Sequence, residues 1–267
     1  MNSKDLAKRV RTDVLLMTSN GPAEHIGSIL SIADIMAVLY AKVMNHDPQN
    51  PENPNRDRFI LSKGHAGACV YATLAECGYF DKNLLGTYVK NGSTFSGHVS
   101  HKGNPGVEFS TGSLGHGPGV GAGLALAAKM DKKKFNTFVL VGNGEMAEGS
   151  IWETIMFASQ QKLNNFKLIV DDNGLQCLGD SSKILGMPNL AERIESFGFK
   201  CVTIDGHDHK ALEKALSWFD KTQPTAVICK TVKGKGVSFM ENNNIWHGKT
   251  VSGDLLVQAL KEVEDAK

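Results

Sequence analysis

Two short loops concentrate the chemistry of this 267-residue chain. The first, Gly142-Asn143-Gly144-Glu145-Met146-Ala147-Glu148-Gly149, follows the apolar run Thr137–Val141 and leads into a segment of helical spacing, 149–161. Glycines there let backbone N–H groups approach a phosphate, and the N-terminus of the next helix adds positive dipole. The second loop, Asp171-Asp172-Asn173-Gly174-Leu175-Gln176, closes the apolar run Phe166–Asp171. Asn143 and Asn173 are 30 residues apart, the length of one strand–helix–strand unit. Their side-chain oxygens therefore belong on neighbouring loops at one edge of a sheet. A divalent ion between two such loops and a diphosphate is sensible, because magnesium takes few of its six oxygens from protein. The glycine loop alone is also compatible with an ordinary strand–helix turn. Pairing with the second loop favours the phosphate reading.

Elements that would hold these loops are visible along the chain. Apolar residues recur at helical spacing over 26–43, with Ser31 and Asp34 on the polar side. A short apolar segment, Asp57–Ser62, runs into Gly64, and helices are expected over 66–77, 115–130, 210–220 and 255–263. The 115–130 helix is rich in glycine and alanine and reads as buried against a close neighbour. Further strands are expected over 200–204 and 225–231. Strands written as continuous Val/Ile/Leu runs and alternating with helices imply an α/β fold, a parallel β-sheet with helices on both faces. No linker divides the chain, so residues 1–267 read as one domain.

Composition narrows the function classes. Hydrophobic residues make up 41% of the chain, enough for a sizeable core and too many for a disordered protein. With 29 basic against 28 acidic side chains, nothing suggests a nucleic-acid backbone as partner. The longest small and apolar stretch, 120–128, falls far short of the roughly 20 residues that span a bilayer, so no membrane partner is expected. The charged start shows no secretory signal. Five cysteines without a CxxC pair read as buried, reduced thiols of a cytoplasmic protein. Glycine is in excess, 28 residues, and clusters in short blocks beside apolar runs, as loops do where backbone must come close to a ligand.

Taken together, the segments resemble the transketolase family. The run G-N-G-E-x-x-E-G-x-x-W-E, followed by D-D-N, resembles its thiamine diphosphate motif. Glu24-His25-Ile26-Gly27-Ser28, Asp57–His65, Gly97-His98 with Gly106-Val107-Glu108, Thr111–Gly115 and Lys233-Gly234-Lys235-Gly236…Trp246-His247-Gly248 are similar to family segments in the same order. Transketolases are usually more than twice as long. The chain resembles only their first domain, the diphosphate-binding domain, as in the small subunit of a split transketolase.

The resemblance implies thiamine diphosphate and Mg²⁺ (or Ca²⁺ or Mn²⁺) as cofactors. It assigns the metal to the side chains of Asn143 and Asn173 and the carbonyl of Leu175. Gly142, Gly144, Glu145 and Asn173 would flank the diphosphate with His65 and His247, and Gly112, Ser113 and Leu114 would border the cofactor rings. His25, His65, His98 and His247 would line the channel where a sugar substrate meets the reactive carbon; imidazole suits proton movement on sugar hydroxyls. The carboxyl that activates the cofactor lies in a second, pyrimidine-binding domain, so a partner subunit carrying that domain and its glutamate is implied. Glu148 would then lie at the subunit boundary. Three positions depart from the family pattern: Asn143 replaces aspartate, His116 replaces glutamine and Glu24 replaces glycine. Asn143 keeps open a second reading, a regulatory or scaffolding homologue with weakened metal binding. His101, His207 and His209 receive no role. Lys233 and Lys235 fit either an anion site or a solvated turn, and Lys132-Lys133-Lys134 reads as a solvated run after a helix.

Overall fold

In the computed structural model of the chain, which describes residues 1–19, 21 and 24–266, the apolar runs become strands β1 (Arg58–Leu61), β2 (Thr137–Gly142), β3 (Phe166–Asp172), a short hairpin of β4 (Leu175–Gln176) and β5 (Gly179–Asp180), β6 (Lys200–Asp205) and β7 (Thr225–Lys230). The five longer strands form one sheet in the order β1-β2-β3-β7-β6, every pair parallel. Residues alternate between its faces: Phe138 and Leu140 pack on one core, Val139 and Val141 on the other. Because both faces are apolar, both need covering.

The covering helices are α1 (Ser3–Ser19), α2 (Ile26–Ser31), α3 (Ala33–Val38), α4 (Gly67–Glu76), α5 (His116–Met130), α6 (Gly149–Gln160), α7 (Ser181–Leu185), α8 (Leu190–Ser196), α9 (His209–Ser217) and α10 (Gly253–Asp265). Residues of α1 to α4, α9 and α10 fill one core, and residues of α5, α6 and α8 fill the other. Among the described residues, no helix is long and apolar enough to cross a membrane.

Several expectations are corrected. The helix expected over 26–43 is broken: α2 ends at Ser31, Ile32 leaves helical geometry at φ −100° and ψ 0°, α3 follows, and 39–43 closes as a wider π turn. Ser31 and Asp34, expected on a polar face, are buried. Ser31 Oγ lies 2.6 Å from Asp171 Oδ2, and Asp34 binds Arg11, so their polarity is met inside the protein. Helix α5 buries only one face; Gly119, Gly123 and Ala127 are exposed on the other. Its glycines do permit close packing, since a Cβ on Gly121 would lie 2.3 Å from Val139 Cγ2. Helix α9 stops at Ser217 rather than 220, where the buried Lys167 ammonium takes the carbonyls of Ala215 (3.0 Å) and Trp218. Of the five thiols, Cys69 and Cys229 are buried, Cys77 and Cys201 are partly so, and Cys177 is exposed. The charged start, given no element by sequence, forms α1 and buries Leu6, Val10 and Val14, which recur at helical spacing.

Candidate active site

A cavity of about 340 Å³ opens at the carboxyl ends of β2 and β3. The two chemically dense loops form its floor and meet directly, with Asn143 N–H donating to the Asp171 carbonyl at 2.9 Å; Asn143 Nδ2 also donates to Ser181 Oγ, at the start of α7, at 2.5 Å. Glycine lets them approach closely: a Cβ on Gly144 would lie 2.9 Å from Gln176 Cγ and would force that side chain to shift. Glu145 braces the first loop. Its carboxylate accepts from Ser62 Oγ, from Gly115 N–H at 2.8 Å and from Gly142 N–H at 3.1 Å, tying together the ends of β1, β2 and the start of α5. Burial pushes the Glu145 carboxyl pKa up, against the pull of these donors.

Four histidines from four distant segments gather beside this floor. The His25 ring lies 4.9 Å from His65, 6.1 Å from His98 and 4.8 Å from His247; His65 lies 6.5 Å from His98 and 5.8 Å from His247. His65 is placed by Gly64, whose hypothetical Cβ would fall 2.2 Å from the Thr111 carbonyl oxygen. Gly112 packs against the His98 ring, 3.2 Å from a built Cβ to Cδ2. Burial, helped by the Lys63 charge, pushes the His65 pKa down to about 2; burial and Lys233 push His247 down to about 4. Burial also lowers His25, against the opposing charge of Glu24. These three imidazoles are therefore neutral at physiological pH, free to accept or donate a hydrogen bond.

Two buried lysines stand behind them. Lys63, 2% exposed, pairs with Asp171, 0% exposed, at 2.6 Å. Asp171 also accepts from Ser31, Thr231 and Asn173, so its carboxylate is fully engaged. Lys233, 1% exposed, donates to Asn244 Oδ1 at 2.6 Å and lies 3.2 Å from His247 Nδ1. Burial and the Lys63 charge push its ammonium down to about 8. By sequence Lys63 had no role and Lys233 stood open between an anion site and a solvated turn; both line the cavity. Gly234 follows Lys233 as it would in a surface turn, and only tertiary contact reveals that the lysine turns inward.

Asn143, Asn173 and Leu175 line the same cavity, so the proposed metal donors share one space. Asn143 gives its amide nitrogen to Ser181, leaving its oxygen as the group for a cation. Asn173 gives its nitrogen to Asp171 at 3.1 Å, while its oxygen accepts from Leu175 N–H at 3.1 Å. Among the described residues, no group of three or more His, Cys, Asp or Glu side chains could hold a metal. The donors are thus neutral oxygens, which fit a hard cation whose remaining ligands are diphosphate and water.

Of the sequence-predicted site residues, His65, Leu114, Gly142, Asn143, Gly144, Glu145, Glu148, Asn173, Leu175 and His247 line the cavity. His25 and His98 join it through the histidine cluster, and Gly112 through His98, with the exposed Ser113 between Gly112 and Leu114. Glu148 is exposed at the start of α6 and makes no side-chain cap bond. His116 is exposed, its Nδ1 3.2 Å from the Leu114 carbonyl, and the run 132–134 is exposed, as expected. His207 and His209, left without a role by sequence, bind the buried Asp34.

An all-parallel five-stranded sheet with a polar, histidine-lined cavity at its strand ends is the arrangement of a cofactor-binding α/β protein. Residues 3–263 match the family described as "Transketolase, thiamine diphosphate binding domain", and the chain belongs to that family. It is 41% identical over 262 residues to one of the subunits of the apulose-4-phosphate transketolase of Actinobacillus succinogenes, covering 97% of this chain and 95% of that one. It is 36% identical over 242 residues to the 6-deoxy-6-sulfo-D-fructose transketolase subunit SqwG of a Clostridium species, covering 90% of this chain and 88% of that one. A transketolase structure from Campylobacter jejuni superposes with a TM-score of 0.91 at 31% identity, over 99% of this chain but 43% of its own. The chain thus spans less than half of that full-length transketolase and most of each separate subunit.

Proposed function

We propose that this chain is the diphosphate-binding subunit of a two-component transketolase, moving a two-carbon ketol unit from an anionic ketose to an aldose once a separate subunit joins it. The observation that carries this reading is the convergence of His25, His65, His98 and His247 over the paired loops. Thiamine diphosphate, when bound, supplies the nucleophilic carbon and the electron sink. The chain's part is to hold and to move protons. The backbone around Gly144 and the N-terminus of α6 suit a diphosphate, with the Lys233 ammonium and His247 on the cavity wall. Asn143 and Asn173 oxygens and the Leu175 carbonyl suit Mg²⁺, Ca²⁺ or Mn²⁺. Gly112, Ser113 and Leu114 border the space for the cofactor rings. The neutral histidines accept hydrogen bonds and protons from sugar hydroxyls, which a charged imidazolium could not do.

The partner would carry the pyrimidine-binding domain and the activating glutamate, and exposed Glu148 on the cavity wall would face it. Support for the partner comes from relatives of matching length whose names call them subunits, and support for an anionic ketose from the phosphate and sulfonate in those names. Asn143 alone favours the second reading, a regulatory homologue, since it brings no charge to the metal. The intact histidine cluster favours the enzyme. Equilibrium dialysis of thiamine diphosphate with Mg²⁺ against the chain, the partner and their mixture tests the reading. Retention by the mixture supports it; no retention in any sample overturns it.

A further inference from the structure

Asp34, on α3, lines no wall of the 340 Å³ cavity, yet it stands at the centre of a buried polar cluster. Arg11 of α1 grips both its oxygens, Nη1 to Oδ1 at 2.9 Å and Nη2 to Oδ2 at 2.6 Å. His207 Nδ1 lies 2.7 Å from Oδ2 and His209 Nε2 lies 3.1 Å from Oδ1. Burial alone would raise the Asp34 pKa, but the Arg11 charge and the two histidine bonds outweigh it and hold the carboxyl well below its usual range. An ionised carboxylate only accepts, so the proton of His207 sits on Nδ1. That leaves His207 Nε2 as an acceptor, and it takes the backbone N–H of Val232 at 2.9 Å. Arg11 Nε meanwhile donates to the carbonyl of Lys235 at 3.1 Å.

Val232 and Lys235 flank Lys233. Both flanks are therefore gripped by side chains that Asp34 orients, in addition to backbone bonds from Gly234 N–H to Gly27 and from Asn242 N–H to Lys233. An ammonium donates and never accepts, so His247 Nδ1, 3.2 Å from Lys233 Nζ, is the acceptor and the ring proton stays on Nε2.

We propose that Asp34 is a positioning residue for the candidate active site: through His207 and Arg11 it fixes the 232–235 loop, and through Lys233 that loop selects the Nε2–H tautomer of His247. A histidine held in one tautomer presents one defined donor to a substrate hydroxyl instead of an equilibrium mixture. The link to turnover rests on the transketolase reading, whereas the coupling from Asp34 to His247 does not.

Ring-nitrogen NMR of the full chain, labelled with ¹⁵N at histidine and measured at neutral pH, tests the coupling without any cofactor. Wild type should show His207 as Nδ1–H and His247 as Nε2–H alone. Asp34→Asn and His207→Ala should each replace the single His247 tautomer with a mixture, while Ile155→Ala, in the opposite core, should leave it intact. His207→Ala keeps the Arg11–Asp34 pair, so it decides the matter if Asp34→Asn does not fold. An unchanged His247 signature in a folded His207→Ala chain overturns the proposal, as does an equal loss in Ile155→Ala. In the assembled enzyme, Asp34→Asn should lower kcat on the order of 10- to 100-fold, the cost of a small misplacement. Loss of the tautomer with unchanged kcat would uphold the coupling and count against a proton-transfer role for His247.

Discussion

The backbone N–H of His25 donates to the carbonyl of His247 across 2.8 Å, and their rings meet edge to face 4.8 Å apart. The two residues join the start of α2 to the last loop before α10. His25 holds this position in the left-handed region, at φ 73°, which disfavours most side chains other than glycine, asparagine and aspartate.

That conformation makes one substitution informative. His25→Asn keeps a residue that accepts left-handed geometry but removes the imidazole. Thermal unfolding should therefore stay near wild type, while two-carbon transfer by the assembled enzyme falls on the order of 10²- to 10⁴-fold, the range of a lost proton-transfer group. His25→Val should instead lower the melting temperature as well.

The buried imidazoles make the chain sensitive to acid. His65 and His247 hold folded pKa values of about 2 and about 4, and His25 is also lowered, against 6.5 for an unperturbed histidine. Between those values the unfolded chain binds more protons than the folded one, so stability is fully present above about pH 6.5 and declines as pH falls toward the folded pKa values. The melting temperature should drop from pH 7 to pH 5, and His247→Gln should flatten that drop. A melting temperature constant across this interval would contradict the burial of neutral histidines.

Lys63 and Asp171 form a buried pair at the cavity floor. Asp171→Asn leaves the ammonium without its counter-charge, a change expected to cost about 3–5 kcal/mol. Urea unfolding should show the midpoint shift, and cofactor retention should weaken with it because Asp171 also holds Asn173.

Adding charge to the proposed metal loop should act in the opposite direction. Asn143→Asp in the assembled complex is expected to tighten Mg²⁺ by roughly tenfold, about 1.4 kcal/mol. Titration of the metal-free complex measures it, and equal affinity would show that the amide already serves as well as a carboxylate.

Much of the site was legible because its signals are local. The glycine loop 142–149 and the D-D-N loop each belong to a strand end, and their spacing alone placed them side by side. The gathering of His25 with His247 came from family resemblance, since no local pattern couples such distant segments. Lys233 could not be distinguished from a surface lysine, because what buries it lies on α2 and on the 244–247 turn. His207 and His209 were silent for the same reason: Asp34, their shared partner, reads in sequence as the polar side of a helix. Fold class followed from the alternation of strands and helices. The break at Ile32 did not, as the apolar spacing runs through it while Ser31 answers to Asp171 across the core.

The most direct measurement is two-carbon transfer from an anionic ketose to an aldose with thiamine diphosphate and Mg²⁺, comparing this chain, its partner and the two mixed. Transfer should occur only in the mixture and collapse with His247→Gln, which leaves the paired loops in place. Transfer by this chain alone would contradict the split-site reading, and no transfer in a mixture that retains cofactor would contradict the enzyme itself.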